Sequence, residues 1–209
     1  MNDTQTEGFD PQEAAELLDQ ATRQARSQFS IYSTLGNVLA GVAVLVGFGA
    51  MWISVLGQHP YQGPALWALG VYVLLVVPLI VVMGTQMKRA MAGVSGPAQQ
   101  QTRVGMALVG ATLIASYVFG GALHRWGVSD AIGNGIYPAA GPISFTAMAA
   151  AIVSAMQSEW KRVALALSVV VLGLVAAYPG PVAVWLVMGI GLLLVVVANE
   201  ILTLRQLRA

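Results

Sequence analysis

The chain contains no cysteine. Disulfides, thiolate metal sites and cysteine nucleophiles are therefore excluded. Charge is also scarce: Asp, Glu, Lys and Arg make up 9% of the residues, where soluble domains average about 25%. With 57% hydrophobic residues there is too little polar surface to enclose a soluble core of this size. The net charge is +1 and no Lys or Arg run exceeds two residues, which leaves no electrostatic footprint for nucleic acid. No cleaved signal peptide is expected either. The first thirty residues are polar and acidic, the reverse of a basic start followed by a short apolar core, so the first apolar stretch is expected to stay as an anchor.

What the chain does have is apolar length. From Ile31 to Met87 there are fifty-seven residues without one Asp, Glu, Lys or Arg. At about 1.5 Å per helical residue, a span takes roughly 20 residues, so this run holds two spans and a turn. The turn is Gln58-His59-Pro60-Tyr61-Gln62-Gly63-Pro64. Continuing along the chain, spans are predicted at 34–56, 65–86, 104–123, 139–157, 163–178 and 182–201. The expected fold is an all-α integral membrane protein of six transmembrane helices arranged as three hairpins. Residues 31–209 form the membrane domain and residues 1–30 a cytoplasmic segment. In that segment Asp10-Pro11-Gln12-Glu13 reads as a capping box, and Ala14, Leu18, Ala21, Ala25 and Phe29 make a thin apolar stripe for a short amphipathic helix.

Nine of the ten Lys and Arg residues fall on one side of this arrangement, and only Arg125 faces the other way. By the positive-inside rule both termini are cytoplasmic. The outer segments are then the 58–64 turn, the loop His124–Pro138 and the short turn Tyr178–Pro181; the main inner loop is Met87–Arg103. Gly133-Asn134-Gly135 gives the outer loop turn chemistry. Each returning helix opens after a Tyr with a Gly-Pro pair: Tyr61 with Gly63-Pro64, Tyr137 with Gly141-Pro142, and Tyr178 with Gly180-Pro181. Triplication of one hairpin accounts for this pattern, and so does the plain suitability of Pro for a first helical turn and Tyr for an interface.

Few motifs carry chemistry. The spans are expected to hold no ionisable side chain, which argues against a proton relay or voltage sensor. His59 and His124 stand apart in the outer segments without acidic neighbours in ligand spacing, so no metal is expected. Gly93-Val94-Ser95-Gly96 matches the string around the nucleophile of rhomboid-type proteases, but it sits in the inner loop with both histidines outside, and a serine nucleophile needs a base within reach. No catalytic residue and no cofactor is expected. Small residues recur at helical spacing (Gly36 and Ala40; Ala43 and Gly47; Ala107, Ala111 and Ala115; Ala147, Ala151 and Ala155), faces that suit close packing inside the bundle or a homodimer. Five polar residues lie at similar depth in the outer half of spans 2 to 4: Tyr72, Ser116, Tyr117, Ser144 and Thr146. They are the candidate ligand pocket; the alternative is that each hydroxyl returns to a carbonyl of its own helix or packs between helices.

Five stretches give the chain a likeness: 11–18 (Pro11 to Leu18), Gly57 to Pro64, Gly93 to Pro97, Gly135 to Ala139 and Gly180 to Trp185. On these it resembles a family of uncharacterised actinobacterial multi-pass membrane proteins. The resemblance implies a bacterial plasma membrane location and no assigned activity. A weaker likeness to the membrane subunits of ABC-2-type exporters rests on six spans and an inner N-terminal helix, but the turn between spans 5 and 6 is too short for the re-entrant helices expected there. The function expected is that of a non-enzymatic membrane protein acting through partner binding, as an accessory or immunity-type subunit. The alternative is a permease subunit for an uncharged or amphipathic solute. The partners expected are the lipid bilayer and another membrane protein or an ATPase subunit, not nucleic acid.

Overall fold

The computed structural model describes residues 36–90 and 97–208. The amphipathic helix and the Gly93–Gly96 string expected from the sequence lie outside them. By its contacts the chain forms two compact units, Met1–Leu39 and Ala40–Ala209; everything below concerns the second, apart from the first residues of the first helix.

All regular structure among the described residues is helical. The helices are α1 (Gly36–Val55), α2 (Leu66–Ala90), α3 (Pro97–Arg125), α4 (Tyr137–Met156), α5 (Trp160–Ala177) and α6 (Ala183–Arg208), with a π-helix, Ala131–Ile136, leading directly into α4. In an apolar solvent a chain must satisfy its backbone polar groups internally, and a helix does so within one segment. Five stretches are long and apolar enough to cross a membrane: Gly36–Val55, Arg103–Arg125, Ala131–Met156, Trp160–Ala177 and Ala183–Arg205. In α2 the apolar segment is Leu66–Val82, and Pro78 stands inside the helix, where it leaves the Leu74 carbonyl without its amide partner. Leu66, Leu74, Val118 and Met156 are all at least two-thirds exposed. Faces so apolar suit hydrocarbon rather than water. This is the architecture of a helical membrane protein.

The helix ends are built in two ways. After α3, Gly127 has φ +74°, its N–H bonds to the His124 carbonyl at 3.2 Å, and the Val128 N–H reaches the Leu123 carbonyl at 3.2 Å. This is a Schellman motif with glycine at the left-handed position. The turn after α4 repeats it with Ser158 in that place, at φ 58°, and with Ser158 N–H to Ala155 O at 3.0 Å and Glu159 N–H to Ser154 O at 2.9 Å. A side chain in the left-handed region costs about 1–2 kcal/mol that glycine avoids. Ser158→Gly is therefore expected to raise the midpoint of thermal unfolding; an unchanged or lower midpoint would show that Ser158 makes a compensating contact.

Two sequence expectations need correction. Gly133-Asn134-Gly135 is not a turn: it lies in the π-helix, with Gly133 and Gly135 buried. Glycine serves close approach here, since the His124 ring lies 3.0 Å from where a Gly133 Cβ would stand. The Gly-Pro recurrence is also not threefold in structure. Gly63 and Gly180 share a left-handed backbone, φ +101° and +100°, but Gly141 and Pro142 lie inside α4. The second and third hairpins, whose helices pack on each other, are joined through α4 and α5, the pair with the most extensive contact.

The buried core gathers near one end of the bundle. It consists of Phe48, Ala50, Met51 and Val55 of α1, Ala68 of α2, Ala139 and Ala140 of α4, Ala176 of α5, and Val184, Trp185 and Met188 of α6. Phe48 is central, with ring centroids 5.8 Å from both Tyr72 and Trp185. By contrast α3 contributes little, with 6% of its apolar window buried against 28% for α1. That window contains Ala107, Ala111 and Ala115, all exposed, so this small-residue face is not a seam of the bundle.

Candidate functional site

Above the core, three connecting segments are drawn together into a clasp. The 56–65 connection is shaped by Gln58, whose side-chain amide donates to the carbonyls of Ser54 (2.9 Å) and Gly63 (3.1 Å) while its Oε1 accepts the Gln62 N–H at 3.1 Å. Ser54 Oγ donates to the Met51 carbonyl at 2.7 Å and accepts the Ala65 N–H at 3.3 Å. The loop also holds a cis His59–Pro60 peptide. These bonds fix the backbone on both sides of Tyr61.

Tyr61 joins the loop to two other elements. Its hydroxyl donates to the Asn134 carbonyl of the π-helix at 3.3 Å and accepts the indole N–H of Trp185, on α6, at 3.2 Å. Burial pushes the Tyr61 phenol above its ordinary value of 10.0, and the Trp185 bond pulls it partly back. The elements meet this closely because residue 135 is glycine: a Cβ there would stand 2.7 Å from Pro181 Cβ and 2.9 Å from Tyr61 Oη. One turn back along the chain the Asn134 amide donates to Asp130 Oδ1 at 3.2 Å. Tyr137 then anchors the start of α4 to α3, its hydroxyl donating to the Ser116 carbonyl at 2.5 Å.

Three of the stretches that carry the sequence resemblance, Gly57 to Pro64, Gly135 to Ala139 and Gly180 to Trp185, thus converge on one clasp. Sequence reasoning treated them as punctuation between helices. Tyr61, Asn134 and Trp185 were missed as a unit because nothing in linear spacing links a loop tyrosine to a tryptophan 124 residues away.

The five candidate pocket residues stand in different surroundings among the described residues. Ser116 is buried and its Oγ returns to the Leu113 carbonyl at 2.7 Å. Thr146 likewise bonds back to the Pro142 carbonyl at 2.5 Å. Ser144 points into the α4–α5 seam, where its Oγ fills the notch left by Gly173 and has no hydrogen-bond partner. Tyr72 packs on α1, its ring 2.8 Å from where a Gly47 Cβ would stand, and Tyr117 is 59% exposed. The expectation rested on equal depth, and depth does not fix the direction in which a helical side chain points.

Ser144 offers a direct check. A buried hydroxyl without a partner costs about 1–3 kcal/mol, so Ser144→Ala is expected to leave stability unchanged or raise it. Gly173→Ala is expected to lower it, and the double variant to recover most of that loss, as measured by thermal unfolding in detergent. Independent, additive effects of the two substitutions would contradict this packing.

One ionisable residue was overlooked. Glu200 lies within the range given for the last span, on α6, and is 7% exposed. Among the described residues no group of three His, Cys, Asp or Glu side chains gathers in a way that could hold a metal ion. At the opposite end of the bundle from the clasp, Ser158 to Arg162 line an open hollow of about 430 Å³, within which Arg162 Nη1 pairs with Glu159 Oε2 at 2.5 Å.

Fold and clasp together define a helical membrane protein whose segments at one end are tied by side chains. The chain matches no protein-family model, no curated protein and no solved structure.

Proposed function

We propose that the chain is a non-enzymatic, six-span protein of a bacterial plasma membrane, with both termini cytoplasmic and the clasp outside, and that it works by binding another membrane protein or an ATPase subunit as an accessory or immunity-type component. The actinobacterial resemblance belongs to the same proposal. One observation supports it above the rest: the intramembrane serine and threonine hydroxyls of α3 and α4 are spent on their own helices or on the α4–α5 seam, so they do not converge on a solute. The partner would then be met by the cytoplasmic residues 1–30 and the 87–103 loop. The permease reading draws its support from Glu200, since ionisable groups inside spans often mark pathways.

Quantitative mass spectrometry of the tagged chain purified from native membranes tests this. The expected result is one membrane protein or ATPase subunit recovered at fixed stoichiometry, and lost when residues 1–30 are removed while the bundle still melts normally. Purification of the chain alone, together with solute flux through vesicles reconstituted with it, would overturn the proposal in favour of the permease.

A further inference from the structure

The polar groups at the two ends of α5 lie closer together than an ordinary bilayer is thick. Trp160 and Tyr178, one at each end of the helix, are 70% and 95% exposed, and amphipathic rings favour the headgroup level. Beside Trp160 the Arg162–Glu159 pair stands in the open, its side chains 68% and 38% exposed, which suits water and not hydrocarbon. At the clasp end α5 gives way to a turn in which Gly180 takes φ +100°, and the last carbonyls of a helix need water or headgroups. Tyr178 is sixteen residues after Arg162, roughly 24 Å at the usual helical rise. A typical hydrocarbon core is about 30 Å thick. Nor is α5 sheltered by its neighbours: Leu167, Val171, Leu174 and Val175 are all exposed, so the surrounding lipid must match its length.

The neighbouring helices repeat this measure. α6 packs on α5 and returns from the turn that joins them, with Gly191 lying against Leu172. Nine residues beyond that contact is Glu200 on α6, and nine residues before it is Val163 on α5, so the buried carboxyl stands level with the Arg162 end of α5. Glu200 is seventeen residues after Ala183, where α6 begins, roughly 26 Å. On α3, Gly105 lies against Val153 of α4, and Gly120 against the Tyr137 ring that opens α4. The exposed Arg103 is seventeen residues before Gly120, again roughly 26 Å. Three helices thus run from the clasp end to a charged side chain over nearly one distance. A layer of about 30 Å would draw Glu200 or the open ends of α5 into hydrocarbon. Tilting increases the mismatch, because a tilted helix spans less.

We propose that the bundle is fitted to a hydrocarbon layer of about 24–26 Å, so that the lipids it prefers at its surface are phospholipids with short acyl chains. Glu200 then marks the edge of the apolar layer and not a pathway within it. The proposal rests on the helices crossing a bilayer, and not on their orientation or on the protein partner. The full chain is reconstituted in phosphatidylcholine vesicles whose acyl chains lengthen from dimyristoleoyl through dipalmitoleoyl and dioleoyl to dierucoyl. Each lipid competes with brominated phosphatidylcholine for the surface around the exposed Trp67, Trp126 and Trp160, and loss of tryptophan fluorescence gives its relative binding constant. The dimyristoleoyl and dipalmitoleoyl lipids are expected to bind tightest, and the dierucoyl lipid about threefold or more weakly. In the variant Lys161→Leu, Arg162→Leu, Glu200→Leu the optimum should move toward the dioleoyl lipid, with the melting temperature in detergent showing that the bundle is intact. The native profile decides by itself if that variant does not fold. Tightest binding of the dioleoyl or dierucoyl lipid by the native chain, equal binding across the series, or an unmoved optimum in a folded variant would overturn the proposal. Absence of quenching in every bilayer would overturn the membrane reading beneath it.

Discussion

Gly135→Ala is expected to unfold the protein at a lower temperature than any other single methyl addition at a helical glycine of the clasp end. The added Cβ would stand 2.7 Å from Pro181 Cβ and 2.9 Å from the Tyr61 hydroxyl, and the first of these atoms belongs to a ring fixed in the backbone. Overpacking of this kind costs about 1–3 kcal/mol. Against it stands the helix propensity of alanine over glycine, up to about 1 kcal/mol. The clash wins, because the atoms it displaces hold three segments at once. With roughly 2–4 °C per kcal/mol for a chain of this size, the midpoint should fall by several degrees. Gly121→Ala is the control. Its Cβ meets nothing within 4 Å, so it should leave the midpoint unchanged or raise it slightly. Equal shifts at the two positions would mean that the clasp is not closely packed at Gly135.

Tyr61→Phe should produce the second large effect. Removing one oxygen takes the acceptor from the Trp185 indole N–H and the donor from the Asn134 carbonyl. Trp185 is 3% exposed, so its N–H cannot turn to solvent instead. A buried group left unpaired costs about 1–3 kcal/mol, and the phenylalanine ring restores none of it. Combined with Gly135→Ala the loss should be less than the sum, because both substitutions act on the same hydroxyl. Thermal unfolding of the two single variants and the double variant measures this coupling. The pH dependence has a definite sign. The folded phenol lies above its unfolded value of 10.0 because burial disfavours the charged form, so its contribution is complete below pH 10 and is lost as pH rises through the folded value. The native chain should therefore lose more stability than Tyr61→Phe on going to strongly alkaline pH. Parallel curves would show that Tyr61 ionises as freely in the fold as out of it.

The membrane character of the chain was legible because it is written in length and composition. The predicted spans 34–56 and 163–178 differ from α1 and α5 by only a few residues at either end. Where the reading failed, a local rule was overridden by contacts between distant segments. Gly133-Asn134-Gly135 has the composition of a turn, yet its glycines admit His124, Tyr61 and Pro181 to the surface of a π-helix. Gly141-Pro142 has the composition of a helix start, yet α4 has already begun at Tyr137. The hydroxyl directions of the candidate pocket residues were out of reach for a related reason. Residue count gives the depth of Ser116, Ser144 and Thr146, but their hydroxyl directions follow from which face packs and from the free carbonyl one turn back. Glu200 was readable and was passed over, because it falls near the end of an otherwise apolar run.

The most direct measurement is accessibility of single cysteines. The chain has no cysteine of its own, so one placed at Gln62, Gln99, Ser129 or Ser158 is the only thiol available to a membrane-impermeant maleimide. Six crossings with the clasp outside require Gln62 and Ser129 to label in intact cells, and Gln99 and Ser158 to label only after the cells are opened. Labelling at Gln99 in intact cells, or protection of Gln62, would contradict both the orientation and the placing of the Tyr61 clasp on the outer face.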